Sequence, residues 1–250
     1  MLIDKSGSLD LTAYCDVFNR DFAPRQTRLS RRYASPGQQG AAGALLGGNL
    51  VSTARGVSRQ DRRDVNSSVR YAQWYASQER NRETDPQGWF SLFAVVLWDL
   101  GWEIDERRVV ENSYSNFAGK VSQVYLNSIA AVNSQMAIVT KDMFESLLAN
   151  SSALWSLATE SRRGREFSIA PAEYDKQGKL SLDLNDYSLR ALAQREDFLF
   201  WDWKEGNVTL THRAAPFTLN RARFEEIRPR LSDRLDRIAD AIFEFYSERL

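Results

Sequence analysis

Residues 85–101, DPQGWFSLFAVVLWDLG, encode a short helix together with both of its ends. Asp85 can accept a hydrogen bond from an orphan N–H of the first turn, and Pro86 fits the first helical position, where no N–H is needed. Gly101 can take the left-handed conformation that stops a helix. Between these ends Trp89, Phe90, Leu92, Phe93, Val95, Val96, Leu97, Trp98 and Leu100 leave almost no polar face. A helix of about four turns is too short to span a bilayer. Apolar nearly all round, it belongs at the buried centre of a globular domain.

Working outward, residues 61–83 repeat apolar side chains at helical spacing through Val65, Val69, Ala72 and Ala76. The sequence Thr84-Asp85-Pro86 ends that segment, so the two helices form a hairpin. After Gly101 the run WEIDERRVVENSYSN suggests a strand with a polar, irregular middle. Residues 120–160 return to helical spacing in three pieces, with Asn150 as the cap between the last two. Beyond Gly164 the period becomes 2. One hairpin is predicted with its turn at Asp175–Gly178, and a second, EDFLFWDWKEGNVTLTHR, with its turn at Lys204–Asn207. From Asn220 the apolar positions Phe224, Ile227, Leu231, Leu235, Ile238, Ile242 and Phe245 predict one long amphipathic helix, bent at Pro229.

Towards the N-terminus, residues 1–23 carry a modest apolar pattern that includes Cys15. Residues 24–58 combine Arg25, Arg28, Arg31 and Arg32 with SPGQQGAAGALLGGNLVSTARG, whose glycine density opposes helix and strand. A mobile loop is expected there. No Gly-x-x-x-x-Gly-Lys-Ser/Thr occurs to make it a phosphate loop. The four arginines, with Leu45 and Leu46, make it a candidate segment for a membrane surface or a partner.

The fold expected from these pieces is a single α+β domain over residues 1–250. Its helical N-terminal half packs on an antiparallel sheet from the C-terminal half, closed by the C-terminal helix. Lys plus Arg and Asp plus Glu are equal at 33 each, so no overall field draws in nucleic acid. One cysteine rules out an intramolecular disulfide and a cysteine-based metal cluster. No apolar run is long enough for a transmembrane helix, and the first residues lack the apolar core of a signal peptide.

Catalytic chemistry is sparse. His212 is the sole histidine and has no cysteine partner near it in sequence. The metalloprotease, nucleophile-elbow and dinucleotide-binding motifs are missing. The carboxylate pairs Asp61/Asp64, Asp183/Asp186 and Asp202/Glu205 fall in caps, turns or solvated faces, where a structural role is the expectation. No metal site and no cofactor is expected.

The order of segments is more informative. RNRETDPQGWFSLFAVVLWDLGWEI, REFSIAPAEYDKQGKLSLDL, EDFLFWDWKEGNVTL and FTLNRARFEEIRPRL together resemble the Erwinia virulence factor (Evf) family over about residues 60–245. The resemblance implies an α/β domain without a known catalytic site and a bacterial role in colonising or harming a host. It also implies membrane association through a fatty-acylated cysteine. Residues Ser168 to Ala172 of the first hairpin strand hold no cysteine, and Cys15, the one candidate for lipidation, lies outside the resembling region. The function expected is therefore non-enzymatic, by binding to a membrane or host protein. A homo-oligomeric assembly module and an enzyme with a carboxylate-based site are the alternatives. The location expected is the bacterial cytoplasm, or export without a cleavable signal.

Overall fold

The computed structural model describes residues 42–105, 110–130, 133–161, 165–191, 197–204, 208–236, 238 and 242–246. It begins with a hairpin of β1 (Ala42–Leu46) and β2 (Asn49–Thr53), followed by α1 (Arg59–Glu79) and α2 (Pro86–Asp99). Strands β3 (Trp102–Ile104) and β4 (Val110–Ser115) precede α3 (Val121–Ala130), α4 (Ser134–Ala149) and α5 (Ser151–Glu160). Then come β5 (Glu166–Tyr174), β6 (Leu180–Arg190), β7 (Thr209–Leu219), α6 (Arg221–Leu235) and β8 (Ile242–Tyr246).

The eight strands form one sheet in the order β3-β7-β6-β5-β2-β1-β8, with β4 joining β3 as a second neighbour of β7. All pairings are antiparallel except β2 with β5. Both faces are covered. On one face Leu46, Val51, Ala170, Leu182, Leu184 and Phe217 share a core with α1, α2 and α6. On the other, Leu45, Leu50, Phe167, Ile169, Tyr187 and Leu210 share a core with α3, α4 and α5. Side chains alternate between faces along a strand, so adjacent residues enter different cores.

The class is α+β, as expected, and the helix at its centre is read correctly from sequence. Every residue from Trp89 to Leu97 is buried. Asp85 Oδ1 accepts from Gly88 N at 3.0 Å. Gly101 takes φ +95°, and its carbonyl accepts from Asn220 N at 2.9 Å, seating the turn on the start of α6. The Asn150 cap is also present, accepting from Ala153 N at 3.0 Å.

Four expectations are corrected. Residues 42–53 are not a loop but a hairpin inside the sheet, with Gly47 at φ +58° in its two-residue turn. Positive φ at the first central position is what type II′ hairpin turns give to glycine. Leu45 and Leu46 are each 2% exposed, one in each core, so neither is available to a membrane or partner. Residues 198–203 form no strand, because β6 and the β3–β4 pair occupy both edges of β7. Phe198, Leu199 and Trp203 plug the core under α3–α5 instead, after a turn held by Asp197 O. The last helix ends at Leu235, and Ile242–Tyr246 pairs with β1 rather than continuing it. The sheet thus draws strands from both ends of the chain.

A Cβ at Gly101 would lie 3.2 Å from Phe224 N, whereas one at Gly178, at φ +75°, would meet nothing within 4 Å. Both substitutions to alanine carry left-handed strain of about 1–2 kcal/mol. Gly101→Ala should therefore lower the melting temperature clearly more than Gly178→Ala. Equal shifts in a thermal melt of the two variants would contradict the seating of Gly101 on α6.

Candidate functional site

The face that carries α1 and α2 changes character towards one end of the sheet. Cross-strand register places Asn49, Ser168, Asp186, Arg213 and Glu111 in one row across β2, β5, β6, β7 and β4. Two residues further along, Glu166, Ser188, Thr211 and Ser113 form a second row on the same face. Directly opposed residues in a sheet point to the same side, so these rows make a polar belt.

Asp186 is completely buried at its centre. Its Oδ1 accepts from Ser168 Oγ at 3.0 Å and from Arg82 Nη2, and its Oδ2 from Arg213 Nη1 at 3.3 Å. A buried carboxylate is costly unless paired and hydrogen-bonded, and here two guanidiniums offset that cost. Arg213 Nε also donates to Glu111 Oε2 at 3.0 Å. Arg82 reaches in from the α1–α2 connection, donates to Ser168 Oγ at 2.7 Å, and lies 4.0 Å over the Trp89 ring. Asp186 thus ties the start of α2 to the sheet.

Glu166 is buried beside it and accepts at Oε1 from Arg190 Nη2 and Ser188 Oγ, both at 3.1 Å. Its carboxyl is pushed up to about 7, first by burial and then by Asp186, against the pull of Arg82, Arg190 and Ser188. Arg190 compensates weakly because its side chain is 47% exposed. The same Arg190 Nη2 donates to Glu83 O at 3.1 Å, and Glu83 pairs with Arg165 at 3.1 Å.

On the opposite face His212 stacks on Tyr187, with centroids 4.6 Å apart and planes within 9°. Its Nε2 is 2.9 Å from Asn185 Oδ1. Burial, then the nearby Arg213, lowers it to about 4 despite Asp186. A neutral imidazole inside an aromatic stack is a packing element rather than a base poised for neutral pH.

The first carboxylate pair is buried rather than solvated. Arg221 Nη1 donates to Asp61 Oδ1 at 2.8 Å, and Arg228 grips Asp64 with Nε at 3.0 Å and Nη2 at 2.8 Å. These pairs clamp α6 to the start of α1. Tyr174 and Ser58 also hydrogen-bond Asp61, and its carboxyl lies below its ordinary value although burial opposes this. Asp202 is exposed, while Glu205 lies outside the described residues, as do Cys15, Arg25, Arg28, Arg31 and Arg32. Among the described residues no cluster of three His, Asp or Glu could hold a metal ion, and no helix is long and apolar enough to cross a membrane.

Sequence reasoning placed Asp186 in a turn or solvated face and overlooked Arg82, Glu166 and Arg213. The available signal was charge inside strands otherwise apolar on both faces, as in LSLDLNDYSLR.

No family model matches the chain, and no curated protein matches it. Among solved structures it is similar to the Evf virulence factor, at 11% identity, covering 82% of this chain and 92% of that one, with a TM-score of 0.37. It is similar also to a delta-endotoxin, at 10% identity, covering 80% of this chain and 91% of that one, with a TM-score of 0.38. The likeness to the Evf structure agrees with the resemblance seen in sequence, and both likenesses are too distant to carry a functional argument.

Glu166 and His212 make opposed contributions to pH dependence. The folded value of Glu166 is raised from 4.5 to about 7, so its contribution is fully present below 4.5 and lost as pH rises towards 7. That of His212 is lowered from 6.5 to about 4, so its contribution is present above 6.5 and lost as pH falls towards 4. Each is worth up to roughly 3 kcal/mol. Relative to wild type, Glu166→Gln should gain stability as pH rises from 4.5 to 7, and His212→Gln should gain it as pH falls from 6.5 to 4. Denaturant melts at several pH values measure this. Variant-minus-wild-type differences that do not change with pH would contradict the burial of these two groups.

Proposed function

We propose that this protein acts by binding rather than catalysis, as a bacterial virulence or toxin-like factor whose target is a membrane surface. The observation that carries the reading is on α4 and α5, where Ile138, Leu148 and Trp155 are 55%, 51% and 60% exposed. Trp and long aliphatic side chains favour the boundary between headgroups and acyl chains. Each is already about half buried, so covering the remainder is worth about 1 kcal/mol per side chain. Arg25, Arg28, Arg31 and Arg32 would add attraction to anionic headgroups of about 1 kcal/mol each near the surface. Against catalysis stands the pairing within the fold. Asp61, Asp64, Glu166 and Asp186 are each held by an arginine, and His212 is held by Asn185 and Tyr187.

Co-sedimentation with zwitterionic vesicles, with and without about one-fifth anionic lipid, tests the reading. Association should be strongest with anionic lipid at low salt and weaken as salt screens it. Replacing the four arginines by Gln should remove the salt-sensitive part. Leu148→Ser with Trp155→Ser should reduce binding to both kinds of vesicle and leave the melt unchanged. No sedimentation with anionic vesicles at low salt would contradict a membrane target and leave a host protein in its place.

A further inference from the structure

Strands β3 and β4 lie along one outer edge of the sheet, beside β7, and β4 is the barer of the two. All six of its residues, Val110 to Ser115, are exposed, and among the described residues it pairs with β7 alone. An edge strand offers unpaired N–H and C=O groups to any chain that approaches, and proteins normally guard it with proline, lysine, a bulge or a covering element. The sequence VENSYS has neither proline nor lysine. Its one charge, Glu111, is engaged by Arg213 at 3.0 Å. Two large apolar side chains, Val110 and Tyr114, stand 43% and 44% exposed on one side of the strand.

Their spacing is self-complementary. We propose that two copies of the chain associate edge to edge through antiparallel pairing of β4, about a two-fold axis at Asn112. In that register Val110 lies opposite Tyr114 of the second copy, Asn112 opposite its own equivalent, and Tyr114 opposite Val110. These six side chains share one face, where an aliphatic–aromatic pair flanks an amide–amide pair on each side. On the other face Glu111 opposes Ser113, so no like charges meet. The arrangement satisfies both backbone edges at once and has the isologous form of a two-fold interface. Six residues bury less than a standard interface, so the association is weak and depends on concentration.

Sedimentation velocity over two decades of concentration tests this. The average mass should rise from that of one chain towards that of two. Val110→Lys with Tyr114→Lys sets lysine against lysine at both flanking positions and should abolish the rise. Val110→Lys with Tyr114→Glu sets lysine against glutamate and should keep it. Both side chains are just over half buried, so the two double variants should lose a similar, modest amount of melting temperature and differ from each other only in association. As a readout independent of those variants, Asn112→Cys in a Cys15→Ser background should form a disulfide-linked dimer under mild oxidation. Opposed Cα atoms in an antiparallel pair lie about 4.5–5.5 Å apart, within disulfide reach. Glu111→Cys in the same background, facing Ser113, should not. The mass of one chain at every concentration would overturn the proposal. So would loss of association in both double variants, persistence in both, or equal cross-linking at residues 111 and 112.

Discussion

A helix without a polar face must be enclosed, and the enclosure of α2 sets the requirements for the elements around it. Residues Trp89 to Leu97 are buried on all sides of the helix. Burying a large apolar side chain is worth roughly 1.5–3 kcal/mol, so this segment alone is a main source of the fold's stability. Its neighbours are shaped to that end. Helix α1 presents Val65, Val69, Ala72 and Ala76, and α6 presents Phe224, Ile227 and Leu231 to the same core. The left-handed turn at Gly101 then sends the chain back into the sheet as β3, against the N-terminus of α6.

Charge holds this layer in place where apolar contact ends. Asp186 engages β5 through Ser168, β7 through Arg213 and the α1–α2 connection through Arg82, which itself covers Trp89. Removing one partner of such a group leaves an uncompensated charge, and this makes the arrangement specific as well as stable. Asp61 and Asp64 do the same between α1 and α6. The buried carboxylates Asp61, Asp64, Glu166 and Asp186 therefore serve internal registration.

Much of this was legible in the sequence. The helix hairpin, the caps at Asp85 and Asn150, the left-handed Gly101 and the α+β class follow from local rules that tertiary context did not override. The glycine-rich 42–53 segment was misread because propensity was summed over the stretch, while Gly47-Gly48 between AGALL and NLVST is itself a hairpin signal. Ile242 and Phe245 fit a helical step, but three- and four-residue spacing cannot report that β1 has an open edge nearby. Residues 198–203 alternate like a strand, yet β7 had no free side. The charged belt was hidden for a related reason. Arg82 is 104 residues from Asp186 and meets it through topology, which no local pattern encodes.

Native-state hydrogen exchange would test the central role of α2 most directly. If the fold is organised around this helix, amides from Phe90 to Leu97 should exchange only through global opening. Their free energy should then equal that of the central strand β6 and respond equally to denaturant. Exchange of α2 at distinctly lower free energy than β6, with a shallow denaturant dependence, would show a helix that opens by itself and would contradict the account.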